Sequence, residues 1–257
     1  MKETGAGAKG LTRIDLYLTP TEACRAPLDG VTIVIVDVLR SASSIAVALS
    51  NGAAKIIPVE SVEEATRLAQ TLDPKLRLLC GERDGRKVGG FDLGNSPREY
   101  VRSKVERTTL IFASTNASPL MAGQLDGREQ RLLGYVNVGA VAGHVQRNGA
   151  DLAILCAGKN GRFALEDAAC AGALIRRLTD AVAGISLNDA AEMAREYDRA
   201  HGQDPEAILA RSEHGRYLIE IGFEEDLPIC AKVDSVPVVP FLKEGRITAS
   251  DTVAVKP

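Results

Sequence analysis

The segment 31–36 (VTIVIV) constrains the fold most, because five of its residues are β-branched and apolar and only Thr32 is polar. Such a run is typical of a strand that is covered on both faces of a sheet. Similar runs recur along the chain and alternate with segments of helical pattern, which predicts an α/β fold. We expect strands at residues 14–18, 31–36, 56–59, 76–80, 110–113, 132–138 and 152–156.

Helical segments separate and follow these strands. Ser61, with Glu64 three residues later, matches a capping box and predicts a helix. The tail 236–241 is expected as an edge strand, because its prolines cannot donate to two neighbouring strands, and residues 14–18 are also expected at an edge. We expect the C-terminal part to be helical, at residues 165–179, 188–201 and 205–221. The predicted architecture has three layers: a mostly parallel or mixed sheet with helices on both faces.

The order of elements repeats at an offset of 77 residues, which places Thr32 over Thr109 and Gly81 over Gly158. The halves would be residues 31–100 and 108–180. Their identity is barely above chance, so internal duplication is a hypothesis that rests on register alone. We expect residues 1–257 to form one α/β domain.

Composition and charge exclude several classes of protein. Aromatic residues make up 4% of the chain and the net charge is −3, which disfavours both a stacking platform and a basic surface for nucleic acid. The run 31–36 is too short to span a bilayer, and residues 1–11 contain no apolar signal core. The five cysteines lack CxxC spacing and indicate reduced thiols. We expect a cytoplasmic protein that binds neither nucleic acid nor membrane.

Polar residues follow the run 31–36, at the carboxyl end of the strand, where ligands gather in open α/β sheets. Asp37, Arg40, Ser41 and Ser44 bring together a carboxylate, a guanidinium and hydroxyls near a predicted helix start. A guanidinium and helix amides can neutralise phosphate, while an Asp can hold Mg²⁺ or act as nucleophile. A structural alternative stays open, in which Asp37 or a Ser caps the helix and Arg40 forms a surface ion pair.

Three further polar stretches follow predicted strands. Their carboxylates, amides, hydroxyls and cations suit a metal and a phosphate group. The alternatives are a surface loop for the second stretch and helix caps for the third and fourth. The candidates are Glu82, Arg83, Asp92 and Asn95, then Asn116 and Ser118, and finally Lys159, Arg162, Glu166 and Asp167.

The Cys-x5-Arg spacing of cysteine-dependent phosphatases occurs at Cys156 and Arg162. Cys80 and Cys170 are followed by Arg at the same spacing, so the pattern does not discriminate. Cys156 as a nucleophile and Cys156 as a buried strand-end residue both stay open. Among the three histidines, His214 is the candidate for a substrate contact, and the lack of HxxH spacing argues against a His-rich metal centre.

Together these segments resemble the 2-phosphosulfolactate phosphatase family of coenzyme M biosynthesis. The matching segments are VDVLRSASS, GER with GGFDLGNSP, STNAS, CAGKNGRFALED, and SEHGRYL with EEDLPIC, in the family's order. The resemblance implies a magnesium-dependent enzyme that hydrolyses 2-phosphosulfolactate to 3-sulfolactate and phosphate. Two departures, Ala117 in place of Gly and Ser41 in place of a small Ala, lie near the expected ligand.

The resemblance implies that the site contains Asp37, Arg40, Glu82, Arg83, Asp92, Asn95, Asn116, Glu166 and Asp167. Our mechanistic hypothesis, metal-assisted phosphoryl transfer, assigns roles to these and to the neighbouring polar residues. Catalytic roles are expected for Asp37, Arg40, Asn116 and Asp167. Substrate binding is expected for Ser41, Ser44, Arg83, Asn95, Ser118, Lys159 and Arg162. Magnesium ligands are expected among Asp37, Glu82, Asp92, Glu166 and Asp167. The nucleophile stays open between Asp37, Cys156 and a metal-bound water.

Two alternative functions stay open at this point. The first is a phosphatase of the same mechanism that acts on another small anionic ester. The second is a non-catalytic anion-binding protein of the same fold. The expected partner is a small, multiply anionic phosphate ester, and a homodimer is expected because twofold dimers are the commonest soluble oligomers.

Overall fold

The computed structural model describes residues 10–125 and 127–250. Nearly all of the polar segment 1–11 lies outside these ranges. Within them, no helix has the length and apolar character needed to cross a membrane.

The described strands form one mixed sheet. They are β1 (Arg13–Tyr17), β2 (Thr32–Val36), β3 (Lys55–Pro58), β4 (Arg77–Arg83), β5 (Arg86–Lys87), β6 (Thr109–Ala113), β7 (Gln130–Leu133), β8 (Leu152–Cys156), β9 (Ser186–Leu187), β10 (Pro240–Lys243) and β11 (Arg246–Ala249). Their order in the sheet is β5-β4-β6-β3-β11-β10-β7-β2-β8-β1-β9.

Two groups of parallel strands make up most of this sheet. Strands β7, β2, β8, β1 and β9 run parallel to one another, and so do β3, β6 and β4. The antiparallel hairpin of β10 and β11 joins the groups, since β10 pairs with β7 and β11 pairs with β3. The predicted mixed sheet is therefore confirmed.

Helices cover both faces of the sheet. They are α1 (Pro20–Ala23), α2 (Ser41–Ser50), α3 (Val62–Ala69), α4 (Arg102–Val105), α5 (Ala117–Pro119), α6 (Val138–Asn148), α7 (Leu165–Ala181), α8 (Asp189–His201), α9 (Pro205–Arg211), α10 (Glu213–Glu220) and α11 (Asp226–Ala231). The five last helices make the C-terminal part mostly helical, as predicted.

Strand β2 shows why the chain forms three layers. Its side chains alternate between the two faces, as the pleat requires. Val34 and Val36 pack in the core that contains α6 and α7, while Ile33 and Ile35 pack in the core that contains α2. Every residue of β2 is buried, which explains its nearly continuous apolar sequence.

Four predicted elements differ from the structure. The tail strand is not at an edge: β10 lies in the middle of the sheet, where Pro240 is its first residue and pairs only with β11. Strand β1 is second from the edge, since the short β9 covers it. The predicted strand 132–138 ends at Leu133 and continues as a 3-10 helix. The predicted helix 205–221 is broken at Ser212, whose hydroxyl accepts a hydrogen bond from the Gly215 N–H and begins α10.

The strand order has a symmetry that matches the 77-residue register. Eight neighbouring strands have the order β4-β6-β3-β11-β10-β7-β2-β8. Read from either end, this order is the same if β2 is taken as equivalent to β6, β3 to β7, β4 to β8 and β10 to β11. In this arrangement β2 lies between two strands of the second half, and β6 lies between two strands of the first. Internal duplication itself stays a prediction.

Candidate active site

A cavity of about 220 Å³ lies where the loops after β2, β4, β6 and β8 meet helix α10. The loops contact each other directly, since the Asn160 N–H donates to Asn116 Oδ1 at 3.0 Å. The cavity is lined by Leu39, Arg40, Ser41, Glu82, Asp84, Gly85, Asn95, Thr115, Asn116, Lys159, Asn160, His214 and Tyr217. Most of these side chains are polar, and the site therefore suits a polar ligand.

Asp37 lies at the end of β2, behind Ser41, and is almost completely buried. Its Oδ1 accepts a hydrogen bond from the Ser41 N–H at 3.1 Å, so this oxygen caps α2 as the structural alternative expected. Its Oδ2 has no hydrogen-bond partner. Burial raises the pKa of Asp37 to about 6, although the Ser41 hydrogen bond and His214 act in the opposite direction. One oxygen of Asp37 is thus available to a cation or a proton.

Glu166 and Asp167 lie in the first turn of α7 and are buried. Asp167 accepts hydrogen bonds from the Val38 and Gly158 N–H groups, both at 3.0 Å, and so joins the ends of β2 and β8. Burial and the charges of Glu166 and Asp37 raise the pKa of Asp167 well above its usual range. We call Asp37, Glu166 and Asp167 the carboxylate cluster.

Glu166 connects this cluster to the cavity. Its Oε1 lies 3.3 Å from His214 Nδ1, and His214 lines the cavity. Its Oε2 is buried without a hydrogen-bond partner. The imidazole of His214 therefore lies between the cavity and the carboxylate cluster.

Arg40 is held in a buried ion pair, so the alternative of a surface pair is wrong. Its Nη1 donates to Asp226 Oδ2 at 2.7 Å, and its Nη2 donates to the carbonyl oxygen of Gly85 at 2.5 Å. The guanidinium carbon lies 4.4 Å from the ring centroid of Phe223. Ser96 donates to the second oxygen of Asp226 at 2.5 Å. Arg40 thus joins the loop after β2 to α11, while part of its side chain lines the cavity.

Glu82 and Asn95 also line the cavity. Glu82 accepts hydrogen bonds from the Thr115 N–H at 2.7 Å and the Gly85 N–H at 2.8 Å, so both its oxygens are paired. Asn95 donates to Ser41 Oγ at 3.3 Å, and its Oδ1 is buried without a partner. The hydroxyl of Thr115 is likewise buried and unpaired.

At the mouth of the cavity, Lys159 and Arg162 share one acidic partner. Glu213 Oε1 lies 3.6 Å from Lys159 Nζ and 2.7 Å from Arg162 Nη2. Lys159 Nζ also lies 4.7 Å from the ring centroid of Tyr217. The Tyr217 hydroxyl donates to the carbonyl oxygen of Asp84 at 3.0 Å, which fixes the ring. We call Lys159, Arg162 and Glu213 the mouth charges.

Three buried oxygens in and behind the lining are of the chemical type that binds Mg²⁺. No group of three or more His, Cys, Asp or Glu residues in the described ranges is arranged to hold a metal. Mg²⁺ uses one or two carboxylates and keeps waters or phosphate oxygens as its other ligands. Asp37 Oδ2, Glu166 Oε2 and Asn95 Oδ1 are buried oxygens without partners, and these residues fit that donor set.

Comparisons with known proteins identify the family of the chain. The sequence model of the family described as 2-phosphosulpholactate phosphatase matches residues 17–245. The chain belongs to this family. The expected resemblance is thereby confirmed, and so is the expected enzyme class, phosphoric monoester hydrolase, at the level of the family.

Relatives from several bacteria share most of their length with the chain. A protein of Carboxydothermus hydrogenoformans is 39% identical over 237 residues, which is 91% of this chain and 96% of the relative. One of Caldanaerobacter subterraneus is 37% identical, over 85% of this chain and 90% of the relative. One of Thermotoga petrophila is 36% identical, over 90% and 96%. Each is named "Probable 2-phosphosulfolactate phosphatase".

In this member of the 2-phosphosulpholactate phosphatase family, most of the predicted site residues come together. They line the cavity or lie directly behind its lining. This set consists of Asp37, Arg40, Ser41, Glu82, Asn95, Asn116, Lys159, Glu166 and Asp167.

Two predicted charged residues point elsewhere. Asp92 is exposed, and its Oδ2 accepts a hydrogen bond from the Leu79 N–H at 2.8 Å, so it caps backbone rather than reaching the cavity. Arg83 donates to the carbonyl oxygens of Glu82 and Glu60, and it is absent from the cavity lining. The expected roles as metal ligand and substrate ligand therefore lack a structural basis.

Three other predicted substrate ligands are also outside the lining. The Ser118 hydroxyl is buried against Ser114, and the Ser44 hydroxyl donates to the Asn95 carbonyl oxygen at 2.7 Å. Arg162 has a side chain that is 69% exposed and points to Glu213. The two serines support loops, and Arg162 lies at the surface.

The three cysteines with the Cys-x5-Arg spacing are in an environment that disfavours a nucleophilic thiolate. Cys80, Cys156 and Cys170 are fully buried, and burial raises the pKa of each thiol. A buried, protonated thiol is a poor nucleophile. The buried strand-end alternative for Cys156 is the one that the structure matches.

The C-terminal helices contribute more residues to the site than the sequence predicted. His214 and Tyr217 line the cavity from α10, one turn apart, and Asp226 holds Arg40 from α11. Their spacing of three residues, which places His214 and Tyr217 on one helix face, was the available signal. Ala117 replaces a Gly of the family pattern, but the backbone at this position does not need a positive φ. Ala117 is the first residue of α5.

Proposed function

We propose that this protein hydrolyses 2-phosphosulfolactate to 3-sulfolactate and phosphate, with Mg²⁺ as cofactor. Membership of the 2-phosphosulpholactate phosphatase family supports the reaction. The observation that supports a bound metal is that two buried carboxylate oxygens, Asp37 Oδ2 and Glu166 Oε2, have no hydrogen-bond partner. Buried anionic oxygens without donors are costly, and a bound cation would compensate them.

Asp37 and Glu166 would hold the metal, together with Asn95. When bound, Mg²⁺ would stabilise the negative charge that develops on the phosphoryl oxygens during transfer. Asp167 would act as a positioning residue, since its two oxygens hold the backbone of the loops on either side of Asp37.

The cavity lining offers donors to the phosphate group. The unpaired hydroxyl of Thr115 can donate to a phosphoryl oxygen, and the side-chain amide of Asn116 and the guanidinium of Arg40 border the same space. Asn116 and Arg40 are held by hydrogen bonds before substrate binds, which is the condition for electrostatic stabilisation of a transition state.

His214 is the candidate proton donor to the leaving oxygen. As a proton donor His214 would act as the imidazolium, with its Nδ1–H held by Glu166 Oε1 and its Nε2–H donated to the leaving oxygen. Lys159 is the cation of the lining that is available to the sulfonate or carboxylate of the substrate, whereas Arg162 lies outside the lining.

The test is release of phosphate from racemic 2-phosphosulfolactate, with Mg²⁺ and with EDTA, beside phospholactate and p-nitrophenyl phosphate. We expect fast, metal-dependent release that prefers the sulfonated ester. Preference for another ester would keep the reaction and replace the substrate. Binding of the esters without turnover in Mg²⁺ would overturn the enzymatic function.

A further inference from the structure

We propose that Lys159, supported by the ring of Tyr217, determines the specificity of this site for phosphate esters that carry a second anionic group such as a sulfonate. This inference rests on the proposed function. The sequence predicted substrate binding for both Lys159 and Arg162. We assign binding of the second anionic group to Lys159 alone.

The position of Lys159 supports this assignment. Its side chain lines the cavity and is only 16% exposed. Its Nζ–Glu213 distance of 3.6 Å is longer than a hydrogen bond. Its Nζ also lies 4.7 Å from the ring centroid of Tyr217, and this cation–π interaction does not require all three N–H donors of the ammonium. The ammonium is therefore held at the cavity with donors to offer.

The other cationic side chains near the cavity are occupied. Arg40 donates to the buried carboxylate of Asp226 and to the Gly85 carbonyl oxygen. Arg162 is 69% exposed, lies outside the lining and makes a 2.7 Å contact with Glu213. Within the described ranges, Lys159 is the Lys or Arg of the lining that is not tied to a buried carboxylate.

Release of Lys159 from Glu213 would leave no charge unpaired. Glu213 keeps its shorter contact with Arg162, and its own side chain is 58% exposed to water. Exposed ion pairs of this kind contribute little, so an incoming anion can take over the ammonium at low cost. Arg162 therefore serves as the partner that Glu213 retains while Lys159 binds substrate.

The experiment compares Lys159→Met with Arg162→Met, a matched control that removes one positive charge from the same Glu213. Steady-state kinetics are measured in Mg²⁺ with 2-phosphosulfolactate and with p-nitrophenyl phosphate, which has no second anion. We expect Lys159→Met to lower kcat/KM for the sulfonated ester by about 10- to 100-fold, mainly through KM, as for loss of a charged hydrogen bond. Neither variant should change kcat/KM for p-nitrophenyl phosphate, and Lys159→Arg should restore most of the loss.

Equal losses on both esters, or the same selective loss in Arg162→Met, would overturn the proposal. Titration calorimetry with 2-phosphosulfolactate and inorganic phosphate distinguishes this failure from that of the proposed function. If no ester is turned over, the enzymatic function fails, and weaker binding of only the sulfonated ester to Lys159→Met still supports the specificity role. Unchanged binding, or no binding to the wild type, overturns it.

Discussion

Two groups of charges border the cavity, and they differ in burial and in how they are paired. Behind the lining, the carboxylate cluster and the Arg40–Asp226 pair are buried, with fixed partners or with none. At the mouth, Glu213 is shared between two cations and is open to water. Water cannot replace a lost partner in the first group, but it can in the second. Removal of an inner charge should therefore have large effects that are the same for every ester, and removal of an outer charge should have small or substrate-selective ones.

We expect the largest effect from Asp226→Ala, which should lower the stability of the folded protein. This change leaves the Arg40 guanidinium buried without its carboxylate, and we expect the free energy of unfolding to fall by about 3–5 kcal/mol in urea denaturation. Glu225→Ala is the matched control, because the neighbouring Glu225 pairs with Arg98 at the surface and should contribute below about 1 kcal/mol. Similar losses in both variants would contradict the distinction between inner and outer charges.

We expect the second-largest effect from Asp37→Asn, which should slow catalysis. Loss of this carboxylate should lower kcat by about 10²- to 10³-fold, comparable to the loss of one oxyanion-hole donor, and equally for sulfonated and simple esters. Asp92→Asn serves as control and should leave kcat unchanged, since Asp92 is exposed and caps the backbone of β4. An Asp37→Asn enzyme with unchanged kcat would remove this residue from the mechanism.

In EDTA, the same variant should gain stability relative to the wild type as the pH rises. The pKa of Asp37 is raised by burial from 3.8 to about 6, so the folded state binds this proton more tightly than the unfolded state, and its stabilising contribution is lost as the pH rises through about 6. Relative to wild type, Asp37→Asn should therefore gain up to about 3 kcal/mol between pH 3 and pH 8, at about 1.4 kcal/mol per pKa unit. Chemical denaturation at several pH values measures this, and a pH-independent difference would disprove it.

The smallest of these effects is the stabilisation of the folded protein by Mg²⁺ alone. At a concentration 100 times its Kd, the ion should add about 2.7 kcal/mol to the free energy of unfolding. The resulting rise in Tm should be absent in Glu166→Gln and retained in Asp92→Asn. An equal rise in Glu166→Gln would place the metal away from the carboxylate cluster.

The sequence predicted well those elements that a pattern of neighbouring residues determines. The β-branched run of β2 indicated a strand covered on both faces, and the polar residues directly after β2, β4, β6 and β8 indicated the loops that form the cavity. These inferences need only neighbouring residues, because the carboxyl ends of strands are where α/β sheets bind ligands.

The parts that could not be predicted depend on contacts between distant residues. Arg40 meets Asp226 across 186 positions of sequence, and Asp167 binds the Val38 N–H across 129. No local pattern shows that both oxygens of Asp167 are used by backbone amides while one oxygen of Asp37 is left free. For the same reason Asp92 looked equivalent to Asp37 as a metal ligand.

The position of the hairpin β10–β11 has a consequence for how the chain folds. Among the described strands it comes last in sequence, yet it is the connection between the two parallel groups. Until residues 240–249 have emerged from the ribosome, β7 and β3 each have an edge without a partner, and such edges can pair with other chains. Completion of the sheet thus depends on contacts of long sequence separation, which makes folding slow. The nascent chain is therefore most exposed to aggregation just before this hairpin is inserted.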